Sequence, residues 1–107
     1  MNTEKIKQLN DTLRKTFMGG QVMLTTGIIT KSEEDQAEIL QKVRLFNKFT
    51  KANDPYAEHD YGRFSYNGED IIFKIDYYNK TYDRMSDDPS NPDITNRVMT
   101  IMCSDEY

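Results

Sequence analysis

Cysteine occurs once, at Cys103. An internal disulfide is therefore excluded, as is any CxxC metal site. In its strand context Cys103 reads as a small apolar residue. Histidine also occurs once, at His59, so a histidine-rich metal centre lacks its second imidazole. No apolar run approaches the ~18 residues a membrane-spanning helix needs. Met1 to Asn10 lack the apolar stretch of a signal peptide. The phosphate-loop pattern of GxxxxGK followed by Ser or Thr is missing, so Gly19-Gly20 is no phosphate loop. No Ser or Cys stands in a nucleophile motif. No repeat, low-complexity tract or linker divides the chain. These absences lead us to expect a small cytoplasmic protein with no membrane contact and no cofactor.

The chain has 107 residues, enough for one domain over 1–107 with one real core. Charged residues reach 30%, but seven Tyr and five Phe argue against disorder. The formal net charge is -4, whereas a nucleic-acid binder usually shows a basic stripe. The cations Lys5, Lys7, Arg14, Lys15, Lys42, Arg44, Lys48 and Lys51 are scattered. They read as solvated helix faces and last helical turns rather than a phosphate groove. Direct nucleic-acid binding is not expected.

Ile6, Leu9, Leu13 and Phe17 recur at helical spacing and predict a helix from Thr3 to Phe17, capped by Asn2 or Thr3 and stopped by Gly19-Gly20. Gln21 to Thr26 reads as a strand. Ser32 followed by Glu33, Glu34 and Asp35 starts a second helix, where the acids suit the positive helix end. Its stripe is Ile39, Val43 and Phe46, widened by Leu40 and Phe49. Asn53-Asp54-Pro55 is expected to end it, since the residue before proline avoids the helical region.

Asn67-Gly68 lies between two alternating segments, the signature of a type I′ hairpin. A two-residue turn pairs Tyr66 with Glu69 and Phe64 with Ile71. Phe64 then shares a face with Ile71, Phe73, Ile75 and Tyr77. Asn79 to Asn96 reads as a long polar loop, a kind often functional or mobile. Arg97 to Cys103 reads as a central strand, and Ser104 to Tyr107 as a frayed end. The expected fold is α+β and two-layered. Two helices pack on one face of a mostly antiparallel four-stranded sheet, in the order α-β-α-β-β-β.

Chemistry concentrates in Asn53-Asp54-Pro55-Tyr56-Ala57-Glu58-His59-Asp60-Tyr61-Gly62. If hairpin pairing continues without a bulge, His59 lies opposite Asp76 and Tyr61 opposite Lys74, on the solvent face. A carboxylate beside an imidazole is the arrangement of general acid–base catalysis. Glu58, His59, Asp60 and Asp76 could also ligate a divalent ion. The plainer reading is turn chemistry at Asp54-Pro55, with Glu58, His59 and Asp60 tying down the loop. Tyr56, Tyr61, Tyr66, Tyr77, Tyr78 and Tyr82 offer rigid amphipathic area for a protein interface, about half of them as core edge. Met18, Met23, Met85, Met99 and Met102 read as core filler.

Several segments resemble one bacterial family: Leu9-Asn10-Asp11, Gly19-Gly20, Leu24-Thr25-Thr26-Gly27, the NDPYxEHDxG stretch from Asn53 to Gly62, the KIDYY stretch from Lys74 to Tyr78, and Arg97 to Met102. It is a proteobacterial family of small proteins known only as a domain of unknown function, often found on plasmids and other mobile elements. The resemblance covers nearly the whole chain. Ala57 and Tyr61 stand where the family pattern has Gly and Phe. The resemblance implies no established catalysis, and implies that the NDPY-EHD loop and the KIDYY strand form one site.

Small acidic proteins of mobile elements often block host defence by binding a defence complex. The leading expectation is accordingly a non-enzymatic protein-binding module, an anti-CRISPR or anti-restriction inhibitor. It would dock on a nucleic-acid-processing complex through Asp54, Tyr56, Glu58, Asp60, Asp76, Tyr78, Asp83, Asp87 and Asp88. The alternative is a small metal-dependent or acid–base enzyme centred on His59 with Glu58, Asp60 and Asp76. A homodimer-forming accessory protein is a third reading.

Overall fold

The computed structural model describes residues 2–107. The chain runs α1 (Thr3–Thr16), β1 (Gln21–Leu24), α2 (Thr26–Ile29), α3 (Glu33–Leu45), β2 (Tyr61–Tyr66), β3 (Glu69–Tyr78) and β4 (Asn96–Cys103), then a 3-10 turn at Ser104–Glu106. The fold is α+β with a four-stranded mixed sheet. None of the described helices is long and apolar enough to cross a membrane.

Helix α1 starts where the Asn2 side chain accepts the Lys5 N–H at 3.0 Å. Its end differs from expectation. Phe17, not a glycine, takes the left-handed cap conformation at φ 62, and its N–H reaches the Leu13 carbonyl. Gly20 is needed for a different reason: a Cβ there would lie 2.5 Å from the Arg97 carbonyl oxygen.

Strand β1 stops at Leu24, two residues short of the expected end. The single-turn α2 that follows was not signalled by periodicity, and it buries Ile28. Helix α3 begins as expected, with Ser32 Oγ accepting the Asp35 N–H at 3.0 Å. It ends at Leu45, well before Asn53-Asp54-Pro55. Phe46 leaves the helix with ψ 131 and turns into the core. There it meets Phe73 edge-on at 5.3 Å and Phe49 at 5.0 Å. Burying a second aromatic layer outweighs the extra turns that local propensity would have allowed. The Asn53-Asp54-Pro55 segment serves a later turn, in which Asp54 N–H bonds the Thr50 carbonyl.

The sheet order is β1-β4-β3-β2. The hairpin has the expected register, with Phe64 opposite Ile71, Tyr66 opposite Glu69 and Tyr61 opposite Lys74. Asn67 (φ 50) and Gly68 (φ 80) supply the two left-handed turn residues. Strands β3 and β4 are also antiparallel, but β1 runs parallel to β4. The sheet is therefore mixed. Its core gathers Ile6 and Leu13 of α1, Ile28 of α2, and Ile39 and Val43 of α3. They meet alternate strand residues Ile71, Phe73, Ile75, Tyr77, Met99 and Ile101.

The C-terminus is bound rather than frayed. The Glu106 carboxylate accepts from Thr25 Oγ1 at 2.6 Å, Gly27 N–H at 2.8 Å and Cys103 N–H at 2.9 Å. Those bonds hold its carboxyl down at about 2. The 79–95 segment is also stitched. Asn79 Oδ1 accepts the Asp83 N–H, Ser86 and Thr95 hydroxyls meet at 2.6 Å, and the Asp88 carboxylate caps Ser90. Of the methionines, Met99 and Met102 fill the core, whereas Met18, Met23 and Met85 are exposed.

Candidate functional site

The NDPY-EHD loop packs against α1 and is organised by Asp54. This carboxylate is buried, and it accepts the Glu58 N–H at 2.9 Å and the His59 N–H at 3.2 Å. Ala57 (φ 56) and His59 (φ 57) both take the left-handed conformation. Glycine accepts that conformation without the Cβ clash that Ala57 and His59 meet.

The backward turn at His59 breaks the strand alternation. His59 therefore points to the helix side instead of lying opposite Asp76. Its Nδ1 sits 2.8 Å from Asp11 Oδ1, and its ring stacks on Phe49 at 3.8 Å between centroids. Its Nε2 lies 3.9 Å from Asp54 Oδ2. Asp76 alternates to the other face of β3 and pairs with Lys74. The expected His59–Asp76 pair is thus corrected to Asp11–His59. Pairing continues past β2 only through the backbone, where the Asp60 carbonyl accepts the Ile75 N–H.

Asp11 Oδ1 also accepts from Arg14 Nη2 at 3.0 Å. Burial opposes ionisation of Asp11. The bonds from His59 and Arg14 outweigh it and hold the carboxyl below its ordinary range. Arg14 is no solvated cation, since only 2% of its surface is exposed. Its Nη1 donates to the Val43, Arg44 and Phe46 carbonyls at 2.8–3.2 Å, capping the end of α3 from α1.

Beside this pair lies a second buried network. Asn10 Nδ2 donates to Tyr77 Oη at 2.8 Å and to the Glu58 carbonyl at 3.0 Å. Tyr77 Oη donates to Glu58 Oε1 at 2.7 Å. Burial, then the bond to Glu58, pushes the Tyr77 phenol far up. Arg97 Nε donates to Asn10 Oδ1 at 2.6 Å, and Arg97 Nη2 donates to the Pro89 carbonyl. Asn10 therefore joins the EHD loop, strands β3 and β4, and the 79–95 loop.

The structure separates the expected docking residues. Asp54 and Glu58 are committed to internal bonds. Asp60 is half-buried, and burial followed by the neighbouring Glu58 charge raises its carboxyl. Tyr56 is exposed, away from that network. Tyr78 lies at the root of the 79–95 loop, 5.8 Å from the Tyr82 ring and bridged to Met85. Asp83 bonds Asn79 and Thr81, Asp88 bonds Ser90, and Asp87 is exposed. Tyr82 (47%), Met85 (67%) and Ile94 (40%) stand out of the same loop.

The expected metal set is not assembled, because Asp76 faces away from His59. Among the described residues, three potential metal-ligating groups converge only at Cys103, Asp105 and Glu106. There Glu106 is already engaged by its three donors. Asp11, Asn10, Arg14 and Arg97 were missed as site residues. One signal was present: Ile6, Asn10 and Arg14 recur every four residues, placing polar side chains on the core-facing stripe of α1.

The chain belongs to the family described as "Protein of unknown function (DUF3768)", which matches residues 24–106. Asp54 to His59 fall inside the match, and Asp11 and Arg14 fall before it. No curated protein and no solved structure matches the chain.

Proposed function

We propose that this protein is a non-enzymatic binding module that docks on a basic protein surface through its 79–95 loop. The observation that carries this reading is the exposure of Tyr82, Met85 and Ile94 on a hydrogen-bonded loop, beside exposed Asp83, Asp87 and Asp93. Apolar anchors on a loop that exposes Asp83, Asp87 and Asp93 against Lys80 and Arg84 suit a partner with a cationic rim around an apolar pocket. A prepaid loop conformation lowers the ordering cost of association. The net charge of -4 favours the same partner. A nucleic-acid-processing defence complex has a surface of that chemistry, and the finer proposal is an anti-CRISPR or anti-restriction inhibitor carried by a mobile element. Glu58 and Asp60 lie outside this docking surface, because Glu58 is bonded to Tyr77 and Asp60 is half-buried.

The test is capture from host extract with tagged wild type and a Tyr82→Ala/Met85→Ser/Asp87→Lys variant, followed by affinity measurement on the purified partner. The expected result is a partner whose affinity falls about a hundredfold in the variant, as for lost hot-spot residues. Equal capture by both proteins overturns the reading.

A small acid–base enzyme centred on His59 is the second reading, supported by the Asp11–His59 bond at the wall of an open groove. No Ser, Thr or Cys lines that groove, which places it second.

A further inference from the structure

The groove between the end of α1 and the end of α3 has a volume of about 650 Å³. That size suits a small molecule. Its charge is opposite to that of the protein. Arg14, Lys15 and Arg44 line it, and Asp11 is its only carboxylate. The Asp11 Oδ1 atom is already shared by His59 and Arg14. Lys15 and Arg44 are exposed, and among the described residues neither has a carboxylate within 4 Å. Arg44 rests on the Phe17 ring at 4.2 Å, which holds its guanidinium in place.

Arg14 is buried, its Nη atoms are committed, and its Nε is left with no hydrogen-bond partner. The other wall is apolar, with Phe46, Phe49 and the exposed Leu45.

We propose that this groove binds a phosphate monoester with a small apolar body. Two cations without a carboxylate partner match the dianion, and fixed Arg14 adds positive potential beside them. Leu45 and the phenylalanine edges take the organic group. His59, held by Asp11 and stacked on Phe49, forms the end wall. The inference does not rest on the docking loop, since the two lie on different elements.

The test is titration of the isotope-labelled protein with phenyl phosphate, at constant ionic strength, following backbone amides and the Arg14 Nε–H by NMR. Inorganic phosphate and phenol are the comparison arms. Saturable shifts at Arg14, Lys15, Arg44 to Asn47 and His59 are expected. Phenyl phosphate should bind more tightly than inorganic phosphate, and phenol should not bind. Lys15→Ala and Arg44→Gln should each weaken binding about tenfold, the loss of one charge-assisted bond. Both side chains are exposed, and an otherwise unchanged amide spectrum verifies the fold. Shifts that fail to saturate, or an affinity unchanged in a Lys15→Ala/Arg44→Gln double variant, overturn the proposal.

Discussion

A single carboxylate oxygen, Asp11 Oδ1, holds both the only imidazole and a buried guanidinium. Its charge is therefore structural as well as local. Because the folded carboxyl sits below its ordinary value, the folded state binds the proton less readily than the unfolded chain. The stability this contributes is present above the unfolded carboxylate range and is lost as pH falls through the folded value. An Asp11→Asn variant should accordingly be less stable than wild type near neutrality. The gap should narrow as pH drops below about 4, in urea unfolding followed down to about pH 3. A gap of constant size across that range would mean that the Asp11 charge contributes nothing. At this scale the sequence was legible in the turn residues, such as Asn67-Gly68. The partner of His59 was not, because one left-handed residue reversed which face it points to.

Helix α3 illustrates how one element ends another. Its hydrophobic stripe and Ser32 cap were readable, and its last residue was not. The Arg14 guanidinium of α1 takes the Val43, Arg44 and Phe46 carbonyls that a longer helix would have satisfied internally. An Arg14→Met variant leaves the Phe46 carbonyl buried without a donor and takes the side-chain donor from Val43 and Arg44. It should lose about 3 kcal/mol or more of stability, seen as a lower urea midpoint at unchanged slope. Arg14→Lys should recover less than half, since a single ammonium cannot replace both Nη1 at the α3 carbonyls and Nη2 at Asp11. Full recovery by lysine would show that charge alone matters. The hairpin is the opposite case. Its turn, alternation and pairing all lie within one short segment, so the register of β2 and β3 followed directly.

Across the whole molecule, the helices and the sheet share one apolar core and polar side chains that bond both. Asn10 bonds Tyr77 and Arg97, so α1, β3 and β4 share one buried network, and Arg97 carries it into the 79–95 loop. Loss of either the helices or the sheet would expose those polar groups and the common core together. Thermal unfolding should therefore be a single transition. Helical circular dichroism and the near-ultraviolet signal of buried Tyr77 should superimpose. Separate midpoints would mean that α1 and α3 melt off a persisting sheet. The mixed sheet also belongs to this scale, since a four-residue β1 carries no mark of which neighbour it will choose.

Local chemistry was enough to set the α+β class, both long helices and the hairpin register. Caps, turn conformations and alternation act within a few residues, where the sequence is its own context. Only the assembled fold decided that β1 lies parallel to β4, that α3 stops at Leu45, and that Glu58 faces inward. It also chose Asp11 as the partner of His59. Asp11 and His59 are 48 positions apart, and Arg14 and Phe46 are 32. Such pairs form because burying Phe46 and Phe73 together brings their backbones close, and the buried polar groups must then find partners among whatever the packing has placed beside them.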